Sequence, residues 1–94
     1  MPYVSIMEWP ADWETHLKID DAINRALGGA SPAGHVLHLA GRSDVGVRVV
    51  DVWETREHAV RFKDEYAEPA VTSLGFEPGP PSTLTEFDVE IVRT

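Results

Sequence analysis

A histidine and an aspartate, His38 and Asp51, stand in two apolar runs separated by a short polar segment. The runs are His35–Gly41 and Val47–Trp53, and the segment between them is Arg42-Ser43-Asp44-Val45-Gly46. Folding a β-hairpin about that segment sets Leu39 opposite Val50 and Leu37 opposite Val52. Side chains alternate along a strand, so these four share one apolar face. The other face then carries Val36, His38 and Ala40 against Val49, Asp51 and Trp53. His38 falls directly opposite Asp51, with Trp53 beside the pair. A carboxylate facing an imidazole fixes its tautomer and raises its basicity, which is how a general base is prepared. The same two groups can serve structure alone, satisfying each other in a core and specifying strand register. Trp53 offers a planar apolar wall for a flat ligand, and is equally suited to a sheet core.

Other chemistry is excluded or weakly signalled. His35 and His38 lie three apart on a strand, so alternation sends them to opposite faces, and no metal-ligand spacing is found. His16 and His58 fall near helix starts and are expected at the surface. No cysteine is present, which excludes a thiolate nucleophile, a disulfide and Cys-ligated zinc. The glycines form no phosphate-binding pattern, and no serine has the context of a nucleophile elbow. Sixteen acidic residues against eight basic ones give a net charge of −8. That opposes binding to nucleic acid or to an anionic membrane surface. No secretion signal or membrane-length apolar run is seen, so the expected location is cytoplasmic.

The elements that must position the pair can be read in order. Residues 1–94 make a single domain. Tyr3–Trp9, stopped by Pro10, suits a strand. Asp12 is placed to cap a helix bearing Trp13, Leu17, Ile23, Ala26 and Leu27 near one face, ended by Gly28-Gly29. The hairpin follows. Thr55 then caps a second helix, with Ala59, Phe62, Tyr66 and Ala70 as its apolar stripe. Pro69 is expected to kink it or to start a short second segment ending before Gly75. After the rigid Glu77–Ser82 loop, Leu84–Arg93 alternates Phe87, Val89 and Ile91 with Glu86, Asp88 and Glu90, as a half-buried strand does. With right-handed crossovers, β-α-β-β-α-β gives an α+β, ferredoxin-like fold with one antiparallel four-stranded sheet and both helices on one face. The sheet face bearing Val36, Val49 and Trp53 is then left uncovered, and a second copy packing sheet to sheet would bury it.

The chain resembles the dimeric α/β-barrel superfamily, and within it small proteins similar to antibiotic-biosynthesis monooxygenases. The resemblance lies in the element order, in Leu37-His38-Leu39-Ala40-Gly41, in Arg48–Glu57 (RVVDVWETRE) and in Glu8-x-Pro10. It implies a homodimeric α/β barrel whose lumen holds a small apolar, aromatic or polyketide-like molecule. It also implies a cofactor-independent enzyme of oxygenation, cyclisation or isomerisation. His38 and Asp51 are then the candidate acid–base residues, and Trp53, Val36, Val49 and Glu90 the candidate ligand contacts. A non-catalytic module that binds a hydrophobic ligand, and a purely structural dimer, are the alternatives.

Overall fold

The computed structural model describes residues 1–93. The elements are β1 (Tyr3–Trp9), α1 (Trp13–Ala26), β2 (His35–Arg42), β3 (Val47–Trp53), α2 (Arg56–Phe62), a π-helical turn (Lys63–Ala67), α3 (Glu68–Ser73) and β4 (Thr83–Asp88). One antiparallel sheet has the order β2-β3-β1-β4. This is the expected ferredoxin-like α+β arrangement. Among the described residues no helix is long and apolar enough to cross a membrane.

Local sequence signals account for the element ends. The Asp12 carboxylate accepts from the Thr15 N–H at 2.7 Å, and the Thr55 hydroxyl accepts from the His58 N–H at 3.3 Å. Each satisfies an amide that the first helical turn leaves without a partner. Pro69 has no N–H for the helical ladder, and the chain widens to a π turn just before it, then resumes as α3. β4 ends at Asp88, five residues earlier than the alternation predicts, and Glu90 lies beyond it, exposed.

The hairpin register is the predicted one: Leu37 pairs with Val52, His38 with Asp51 and Leu39 with Val50. The face it presents to the helices is the opposite of the expected one. Trp53 is only 2% exposed, and its ring centroid lies 5.1 Å from that of Phe62 on α2. Val47, Val49, Asp51 and Trp53 therefore face the helices, with Tyr3 and Ser5 beside them on β1. Leu37 and Leu39 face away and are 48% and 53% exposed. Both faces of β3 are apolar. Alternation fixes which residues share a face, but not which layer covers it. The choice goes to the face that can extend the aromatic stripe of the helix: Trp53, Phe62 and Tyr66 follow one another at centroid distances of 5.1 and 6.2 Å.

A second departure occurs at the start of the hairpin. The ladder pairs His35 with Trp53 and Leu37 with Val52, leaving Val36 as the extra residue of a β-bulge, 61% exposed. The expected Val36–Trp53 pairing is thus replaced by His35–Trp53. One extra residue changes the parity of the strand. His35 consequently joins His38 on the helix face, where strict alternation would have put it on the other.

Gly34, just before the bulge, has φ 77°. A Cβ built there would lie 2.3 Å from His58 Cγ. Side chains disfavour this backbone region, and the His58 ring is held by a 2.7 Å bond between its Nδ1 and the Thr55 hydroxyl. Gly34→Ala is expected to cost about 2–4 kcal/mol, combining positive-φ strain with a forced shift of His58. Urea unfolding measures it. A loss below about 0.5 kcal/mol would contradict this account.

Candidate active site on the helix face of the sheet

Asp51 sits mid-strand on β3, its side chain 10% exposed, and takes two imidazoles on one oxygen. His38 Nδ1 lies 2.7 Å and His35 Nε2 2.8 Å from Asp51 Oδ1. An ionised carboxylate only accepts, so both nitrogens carry their protons toward it. The lone pair of neutral His38 is then on Nε2, on a side chain that remains 38% exposed. The hydrogen bond to Asp51 raises the His38 pKa above its ordinary value, burial opposes this, and the charges of Asp51 and Asp20 add to the rise.

His35 is fixed from behind. Its ring stacks on Trp53 at 4.3 Å with 24° between planes, and lies 5.8 Å from the His38 ring. Trp53 thus walls the site through His35 and also anchors it to α2. Val49 is buried on the same face, two residues before Asp51. On α1, His16 stacks on Trp13 at 5.3 Å. It is partly buried rather than free at the surface. Burial lowers its pKa first; the charges of Asp20 and Asp51 raise it and that of His38 lowers it further. α1 therefore brings a third imidazole into the electrostatic neighbourhood of the pair.

Of the residues expected at a site, the fold brings together His38, Asp51, Trp53 and Val49. It carries Val36 outward on the bulge and leaves Glu90 past the end of β4. Sequence reasoning missed His35, because a bulge has no signature here beyond the change of parity it creates. The expectation that His35 and His38 cannot share a ligand fails for the same reason: His35, His38 and Asp51 offer donor atoms that all lie within 4.8 Å of one another. Two concavities lie elsewhere. One, about 70 Å³, is lined by Pro32, His58, Arg61, Phe62 and Tyr66 among others; the second is a shallow dish over Arg56 and Val60. Neither includes His38.

A separate polar cluster braces β1 to β4 and α2. The Tyr3 hydroxyl donates to Glu86, whose other oxygen meets the Arg56 guanidinium at 3.2 Å. Burial, then the hydrogen bond and charge of Glu86, push the Tyr3 pKa from 10.0 to about 12. Folding therefore favours the neutral phenol. The associated stability is intact below pH 10 and is lost between about pH 10 and 12, by at most about 2–3 kcal/mol. Denaturant unfolding across this range should show the loss in the wild type and not in Tyr3→Phe. Parallel curves for the two proteins would overturn it.

No protein-family model matches the chain, and no curated protein matches it. Solved structures do. A Chloroflexus aurantiacus J-10-fl protein named as an antibiotic biosynthesis monooxygenase superposes with TM-score 0.67 at 11% identity, covering 100% of this chain and 98% of that one. A Nitrosomonas europaea protein of unknown function gives TM-score 0.56 at 13% identity, covering 99% and 91%. At such identities the likeness is one of fold. The chain shares its ferredoxin-like architecture with both proteins.

Proposed function

We propose that this chain is a small, cofactor-independent enzyme in which His38 removes a proton from a small, mostly apolar or aromatic molecule, opening an oxygenation, cyclisation or isomerisation. The observation that carries the reading is the His38–Asp51 pair. A buried carboxylate holds the Nδ1 side of a ring that is itself accessible, leaving Nε2 free to accept a proton. His35, stacked on Trp53, holds the same carboxylate oxygen from the other side, so Asp51 is oriented by two donors. Polyketide-like substrates enter only through likeness of fold, which by itself hosts many activities.

The proposal includes a homodimer. The sheet face away from the helices carries Val4, Ile6, Leu37, Leu39, Val50, Val52 and Phe87, of which Leu37, Leu39 and Phe87 are about half exposed. This replaces the Val36, Val49 and Trp53 face as the contact between copies.

The test is a panel of hydroxyaromatic and polyketide-type compounds, followed by oxygen uptake, absorbance and the His38 ring resonances. Turnover without added cofactor, or shifts centred on His38, supports the reading. Absence of both across the panel overturns it. The pair is then structural, a second reading favoured by the fact that neither concavity reaches His38.

A further inference from the structure

We propose that His35, His38 and Asp51 form a binding site for one divalent first-row transition-metal ion such as Zn²⁺ or Co²⁺. The donor set is two imidazole nitrogens and one carboxylate oxygen within 4.8 Å of one another. Such a mixed set suits borderline ions and leaves coordination positions open.

Three features of the fold point the same way. First, the β-bulge at Val36 is what places His35 beside His38, and bulges re-aim side chains at sites. Second, Asp51 is nearly buried, and among the described residues its charged partners are the two histidines, with no Lys or Arg paired to it. A cation at the centre of the three donors would bring this nearly buried carboxylate a positive charge that no Lys or Arg supplies. Third, the outer support of a metal site is present. Stacking on Trp53 fixes the His35 ring, and the His38 side of the cluster is open to solvent for entry.

The two contacts of Asp51 need only a small adjustment. The oxygen–nitrogen separations are 2.7 and 2.8 Å. In a tetrahedral site with bonds of about 2.1 Å, neighbouring donors lie about 3.4 Å apart. Widening each pair by well under an ångström is within reach of side-chain rotation. Binding also moves protons. His35 shifts its N–H from Nε2 to Nδ1, and His38 from Nδ1 to Nε2, so each neutral ring presents a lone pair to the ion. A protonated ring releases one proton to solvent. The ion would occupy the nitrogen that faces Asp51 and leave His38 Nε2 protonated, so the loaded site has no free base. That last consequence rests on the acid–base reading of His38; the binding does not.

The experiment titrates the full-length chain, freed of metal by chelator and dialysis, with Co²⁺ and Zn²⁺. Visible d–d absorbance follows Co²⁺, calorimetry follows Zn²⁺, and paramagnetic broadening of imidazole resonances locates Co²⁺ in the wild type without any substitution. The expected result is one ion per chain, with broadening centred on His35 and His38. Affinity should fall at least 100-fold in His35→Gln, His38→Gln and Asp51→Asn, each checked for folding by circular dichroism, and stay unchanged in His58→Gln. No saturable binding up to millimolar Zn²⁺, or broadening centred elsewhere, overturns the site. Metal binding without turnover of any compound leaves the site standing and removes only the base. Turnover by the metal-free chain without metal binding does the reverse.

Discussion

His38→Ala is expected to lower turnover by about 10²–10⁴-fold, the usual contribution of a positioned general base, while the chain stays folded. The structure explains why folding should survive. Asp51 keeps its 2.8 Å bond to His35 when His38 is removed, so the buried carboxylate is not left without a partner. A loss of stability under about 1 kcal/mol is therefore expected alongside the loss of activity. Asp51→Asn should act differently. The amide oxygen of Asn can still accept from both imidazole N–H groups, which now meet on one oxygen, but the negative charge that strengthens those bonds and supports a protonated His38 is gone. Activity should fall by a comparable factor, and stability should fall too. Kinetics and urea unfolding on the same preparations separate these patterns. If His38→Ala retains full turnover of a compound that the wild type converts, His38 is not the base.

Val50→Asp is expected to convert a homodimer into a monomer. Val50 lies between Ile6 on β1 and Leu39 on β2, at the centre of the sheet face that the helices leave open. Leu37, Leu39 and Phe87 are each about half exposed on this face in the single chain. Such a contiguous apolar surface is costly to leave in water. A carboxylate placed at its centre must be desolvated for two sheets to meet, which costs several kcal/mol, or roughly a thousandfold or more in the dimer dissociation constant. Light scattering should give twice the 10.4 kDa chain mass for the wild type at micromolar concentration, and the chain mass for the variant. A wild type that stays monomeric at tens of micromolar would sink the dimer. Trp53→Asp serves a different purpose from the one the sequence suggests. With Trp53 buried under its own helices and packed between His35 and Phe62, that substitution should unfold the chain rather than separate two copies.

The order of elements and the hairpin register are legible in the residues alone. Both are carried by short-range chemistry. Asp12 and Thr55 announce helix starts because their side chains satisfy amides that the first turn cannot. Pro69 forces a break because it has no N–H to give. The pairing of Leu37 with Val52 and Leu39 with Val50 follows from centring the hairpin on its polar turn, and it brings His38 opposite Asp51 without any knowledge of the rest of the fold. The final strand is shorter than its pattern: alternation continues to Ile91, whereas the ladder with β1 stops at Asp88, paired with Tyr3, and Val89 then donates one further bond to Pro2.

Which way the pair faces, and which residues join it, depend on packing between elements distant in the chain. Val47, Val49 and Trp53 on one side of β3 are as apolar as Val50 and Val52 on the other, so sequence periodicity has no preference between the layers. The preference comes from contact at a distance in the chain, where Trp53 meets Phe62 and the aromatic stripe of the second helix. The same holds for His35. Its place on the site depends on one residue slipping out of the ladder at Val36. That slip reverses the parity of everything before it, and a period of two cannot anticipate its own interruption.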